Sequence, residues 1–113
     1  MELTNIELFE FVAKAIGITG YAAEDWSGVY FCTPSNPEEP RSYPVVYHWL
    51  DDDGDAFRLA VKLNVMPEID YEMGWATIVM PTLRGIQEEL LDDPLAATRR
   101  AIVRAAATIG QEM

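Results

Sequence analysis

A single cysteine, Cys32, in 113 residues leaves no partner for an intrachain disulfide. That excludes a disulfide-stapled scaffold and fits a reducing compartment. Basic residues are scarce, with 8 Lys and Arg against 19 Asp and Glu, a formal net charge of -11 and a sequence pI near 4.2. A surface of that sign repels phosphate backbones, so direct nucleic-acid binding is disfavoured. No apolar run approaches the ~18 residues that a membrane span needs. The first residues, MELTNIELFE, carry acids and no basic n-region, so they do not read as a signal peptide. The expectation is a cytoplasmic protein without membrane contact. The phosphate-cradling patterns G-x-x-x-x-G-K and G-x-G-x-x-G are missing, as are zinc-ligand clusters, so no cofactor and no metal are expected.

Half of the chain is apolar, enough for one domain over residues 1–113 with a core of its own. Thr4 and Glu7 have capping-box spacing, Ile6, Phe9, Val12, Ala13 and Ile16 follow at helical intervals, and Gly17 supplies a stop. Glu10 and Lys14 stand in the favourable order for an ion pair one turn apart. The period then changes. Val29–Thr33 and Val45–Tyr47 are β-prone, and the four prolines of TPSNPEEPRSYP between them make a long loop. In PEIDYEMGW, Ile69, Tyr71 and Met73 alternate with Glu68, Asp70 and Glu72, as in a strand with one wet face, and Gly74 permits a hairpin turn into WATIVM. TLRGIQEELL, residues 82–91, is ambiguous between a loop and a short helix. Asp93 followed by Pro94 opens a last helix to about Ile109, with Leu95, Ile102, Ala106 and Ile109 as its buried stripe and Gly110 as its end. The sum is an α+β domain, an antiparallel sheet of about four strands packed with two to three helices.

The densest charge lies in LDDDGDAFRLAVKL, residues 50–63. A calcium loop needs oxygen ligands at its first, third and fifth positions, glycine at the sixth and glutamate at the twelfth. Counted from Asp51, Asp53 and Asp55 fit, but Ala56 and Lys62 occupy the last two places. A helix start accounts for more of the residues. Asp52 or Asp53 caps it, Asp55 favours the positive end of its dipole, and Arg58 and Lys62 lie toward the negative end.

Cys32 and His48 suggest a nucleophile and a base, yet each stands among β-prone apolar residues, where a buried thiol and a satisfied histidine are commonplace. No catalytic residue is assigned. Arg99, Arg100 and Arg104 make the last helix the basic segment of an acidic chain. They could bind a phosphate, but pairing with the chain's own acids, such as Glu88, Glu89, Asp92 or Asp93, is simpler. Aromatics crowd residues 21–49. Most should be core, but an exposed Trp26 or Tyr43 beside carboxylates would make a protein-binding patch.

Two segments, WLDDDGDAFRLAVKLNV at 49–65 and DPLAATRRAIVRAAATIGQEM at 93–113, together resemble small uncharacterised proteins of tailed bacteriophages and prophages. The resemblance covers about a third of the chain and brings no established catalytic residues. It implies a phage accessory protein working in the host bacterial cytoplasm. With the acidic charge, it leads to an expectation of a non-enzymatic protein that binds and inhibits a host bacterial protein. A nucleic-acid-binding defence factor, such as a CRISPR or restriction component, would be met by charge mimicry. The contact residues expected are Trp26, Glu38, Glu39, Tyr43, Asp51, Asp52, Asp70 and Glu72. The alternative is a protein that sequesters a nucleotide-like signal, with Arg99, Arg100 and Arg104 holding its phosphate.

Overall fold

A computed structural model describes residues 3–35, 46–79 and 85–113. Within them the order is α1 (Asn5–Ala15), β1 (Gly20–Glu24), β2 (Tyr30–Pro34), α2 (Asp53–Leu63), β3 (Met66–Asp70), β4 (Trp75–Val79), β5 (Ile86–Glu89) and α3 (Pro94–Gln111). The fold is α+β, with all strand pairs antiparallel. The strands divide into two sheets, the hairpin β1-β2 and a three-stranded sheet of order β3-β4-β5. None of the described helices is long and apolar enough to cross a membrane.

Each helix starts where a side chain takes up its free amides. The Thr4 hydroxyl accepts from the Glu7 amide and the Glu7 carboxylate from the Thr4 amide. The Thr4 amide, then the Thr4 hydroxyl, hold the Glu7 carboxyl below its ordinary pKa. Asp52 caps α2 by accepting from the Asp55 amide at 2.9 Å, and Asp93 caps α3 by accepting from the Ala96 amide at 3.0 Å, with Pro94 following. Gly17, at φ +75°, ends α1. Lys14 donates to the carbonyl of Met113, across to the end of α3, rather than pairing with Glu10.

α3 packs against α1, α2 and the three-stranded sheet, while α1 also lies on the β1-β2 hairpin. Ala101, Ile102, Val103, Ala105, Ala106 and Ala107 are all buried. A helix enclosed on nearly every side is the centre of the domain, and its alanines let the neighbouring backbones come close. Against the other side of α1, Phe9 meets Trp49 and Tyr30 edge-on, and Tyr47 stacks on Trp49.

Several expectations are corrected. Leu95 is exposed, because it sits in the first turn of α3, ahead of the stretch that the other elements enclose. α3 runs through Ile109 and Gly110 to Gln111. Tyr71 and Met73 do not continue the strand that contains Ile69, which ends at Asp70. Asp70 closes a turn there, accepting from the Met73 amide with its side chain and from the Gly74 amide with its carbonyl, and both side chains are exposed. Residues 86–89 are strand rather than loop or helix. β1 was not expected at all. In the segment 45–47 the described part makes a single bridge, Tyr47 to Cys32, beside β2. Most of the proline loop, with Glu38, Glu39 and Tyr43, lies outside the described residues.

Candidate protein-contact surface

The tip of the β1-β2 hairpin is built by one side chain. Asp25 Oδ1 accepts from the Ser27 amide at 2.8 Å, the Ser27 hydroxyl at 2.7 Å and the Val29 amide at 3.1 Å. The Gly28 amide closes the turn on the Asp25 carbonyl, and Gly28 takes φ +87°. Asp at the first place of the turn and glycine at the fourth suit this geometry. The Ser27 hydroxyl, then the Val29 amide, hold the Asp25 carboxyl below its ordinary pKa, and nearby His48 adds to this. Trp26 sits at the second position of this fixed turn and is 98 % exposed. Little else in a folded domain leaves an indole so bare, since tryptophan contributes most by burial.

The acidic start of α2 lies toward the same end. Tyr47 pairs antiparallel with Cys32, His48 faces Phe31 at 6.3 Å, and Trp49 shares Phe9 with Tyr30. The chain therefore climbs β2 toward the hairpin tip before it turns into Asp51 and Asp52. Three of the four aspartates there are in structural use. Asp52 caps; Asp53 pairs with Arg99; Asp55 accepts from the His48 amide at 2.8 Å and pairs with Arg58 at 2.7 Å. The carboxylate of Asp51 makes no ion pair or hydrogen bond among the described residues, and it is exposed. Among the described residues no group of three or more His, Cys, Asp or Glu is arranged to hold a metal ion. Asp70 and Glu72 stand elsewhere, on the β3-β4 turn.

The three arginines of α3 are engaged by their own chain. Arg99 donates to the carbonyl of Leu50 at 2.7 Å and pairs with Asp53, and Arg100 and Arg104 both reach Glu88. Glu88 was among the acids that the sequence offered; Asp53 was not. Cys32 and His48 do not converge. Tyr47 is the residue opposite Cys32, so the next side chain, His48, projects to the other face, where it meets Phe31. Burial pushes the Cys32 thiol up to about 11. Two pH units above its ordinary value corresponds to about 100-fold less thiolate at neutral pH. A thiolate of higher pKa is about tenfold more nucleophilic over that interval, so labelling by a disulfide reagent at pH 8 should be about tenfold slower, or more, in the native protein than in urea. Equal rates in the two conditions would show an open, ionised thiol.

Comparison with protein-family models, with curated proteins and with solved structures finds no match to this chain.

Proposed function

We infer that this chain is a non-catalytic binding protein of phage or prophage type that inhibits a host bacterial protein. Its anchor is Trp26, and Asp51 and Asp52 supply charge nearby. The carrying observation is an almost wholly exposed tryptophan on a turn that Asp25 has already ordered. Tryptophan is the residue that most often dominates binding energy at an interface, and a pre-ordered turn avoids the entropic cost of fixing it on contact. The net charge of -11 favours a partner whose socket for the indole is rimmed by Lys and Arg. Host factors that bind nucleic acid have such surfaces, which supports the charge-mimicry reading. The nucleotide-sequestering alternative has less support, because Arg99, Arg100 and Arg104 are already bound to Asp53, Glu88 and the Leu50 carbonyl.

The test is capture from bacterial lysate on the immobilised chain, with Trp26→Ala in parallel and the wild type repeated at high salt. A hot-spot tryptophan is worth at least about 2 kcal/mol, so the variant should lose its partner by roughly 30-fold in affinity while its thermal unfolding stays unchanged. A wild type that captures no specific, salt-sensitive partner, or a variant that binds as well, would overturn the reading.

A further inference from the structure

Two turns lie side by side at one end of the three-stranded sheet. Residues 70–74 join β3 to β4 and residues 90–93 lead from β5 into α3, and the Leu90 amide donates to the Gly74 carbonyl at 3.0 Å. On and just after these turns Tyr71, Met73, Leu91 and Leu95 are between 61 % and 77 % exposed. Asp70, Glu72, Asp92 and Asp93 share the same turns and are exposed with them. Exposed apolar residues grouped on adjoining turns and accompanied by charge mark a contact surface, whereas isolated ones need no explanation. Its chemistry calls for an apolar partner surface edged with cations.

The outer face of α2 has that character. Phe57 and Val61, one helical turn apart, are 67 % and 64 % exposed, and Arg58 and Lys62 accompany them at the same spacing. Lys62 has no ion-pair partner among the described residues. A chain with so few bases has thus placed two of them beside an uncovered apolar stripe; Arg58 is 71 % exposed although Asp55 holds one of its nitrogens, and Lys62 is left for a carboxylate of another copy. We propose that two copies of this chain dock head to tail, Tyr71 and Met73 of one against Phe57 and Val61 of the next, with Asp70 and Glu72 meeting Arg58 and Lys62. Such a contact joins unlike surfaces, so it can repeat from copy to copy. The mutual repulsion of two acidic chains acts mostly through charges farther apart than the screening length of about 8 Å at physiological ionic strength, which leaves the short pairs at the contact in force. The surface does not include Trp26, so it stands or falls independently of the host-partner reading.

Light scattering after size exclusion, over a range of concentrations at physiological ionic strength, should show the mass rising above 12.7 kDa as the protein is concentrated. The double variants Phe57→Ser/Val61→Ser and Tyr71→Ser/Met73→Ser should each remain monomeric with unchanged circular dichroism. Mixed in equal amounts they should form a 1:1 pair that grows no further, because each variant retains one of the two complementary surfaces. Lys62→Glu should also be monomeric, and pairing it with a Glu72→Lys copy should restore association. A wild type that is monomeric throughout would overturn the proposal. So would variant mixtures that fail to pair while the wild type associates, since a surface would then be meeting itself.

Discussion

Replacing Gly110 with alanine should unfold much of the protein, or cost it at least about 3 kcal/mol, toward the upper end of what overpacking a core usually costs. The expected sign is opposite to that of helix propensity, which favours alanine over glycine in a helix interior by about 1 kcal/mol. Gly110 lies inside α3 and is buried where α3 crosses α1. A Cβ there would overlap the carbonyl oxygen of Phe11 and sit 2.7 Å from the carbonyl carbon. Those are backbone atoms in the second turn of α1, so no side-chain rotation relieves the overlap. The helices would have to separate, and with them the Phe9, Val12 and Ala13 face that α1 buries. Whole domains are stable by only about 5–15 kcal/mol, so the loss would be plain in a urea titration or a thermal scan. A neutral or stabilising Gly110→Ala would mean that the two helices do not pack at this distance.

The same residue shows where sequence reasoning reaches its limit. A glycine after an apolar stripe reads as a helix stop, and Gly17 is one, with the positive φ that such a stop uses. Gly110 has an ordinary helical conformation, and the need for it comes from the facing chain, which no local pattern contains. The features that were legible are local in the same sense. The caps at Thr4, Asp52 and Asp93 depend on residues three positions away, and all three helices follow from them. β1, built from Gly20, Tyr21, Ala22, Ala23 and Glu24, has mostly poor β formers and is held by its partner in the hairpin. The Asp25 to Gly28 turn signal was the clue that would have found it. At the candidate surface, Trp26 stands out in the sequence, and the same Asp25 to Gly28 signal marks the turn that bares it. Tyr71, Met73 and Leu95 read as buried because their spacing was right, although the strand ends at Asp70 and the packed part of α3 begins after Leu95. Periodicity assigns faces only within an element, and each of these residues lies at or beyond an element's packed limits.

Trp49→Ala should cost about 3–5 kcal/mol, the usual loss for a large aromatic removed from a core. At roughly 4–8 °C per kcal/mol for a domain near this size, the unfolding temperature should fall by 10 °C or more. Trp49 is 2 % exposed, stacks on Tyr47 at 5.3 Å and meets Phe9 edge-on at 5.0 Å. It is also the fixed point of the chain as it enters α2, and everything immediately after it is fastened. The His48 amide binds Asp55, Arg99 clamps the Leu50 carbonyl and Asp53, and Asp52 caps the helix. The tryptophan and the aspartates that follow it therefore work as one folding device, joining the aromatic cluster of α1 and the hairpin to α2 and α3. Trp49→Phe should recover part of the loss by keeping the contact with Phe9. Asp51→Ala, which removes the aspartate without a structural partner, should leave the unfolding temperature within about 2–4 °C, as surface changes away from such features do. If Asp51→Ala were as damaging as Trp49→Ala, all four aspartates would belong to the fold, and none would be left over for an acidic contact surface.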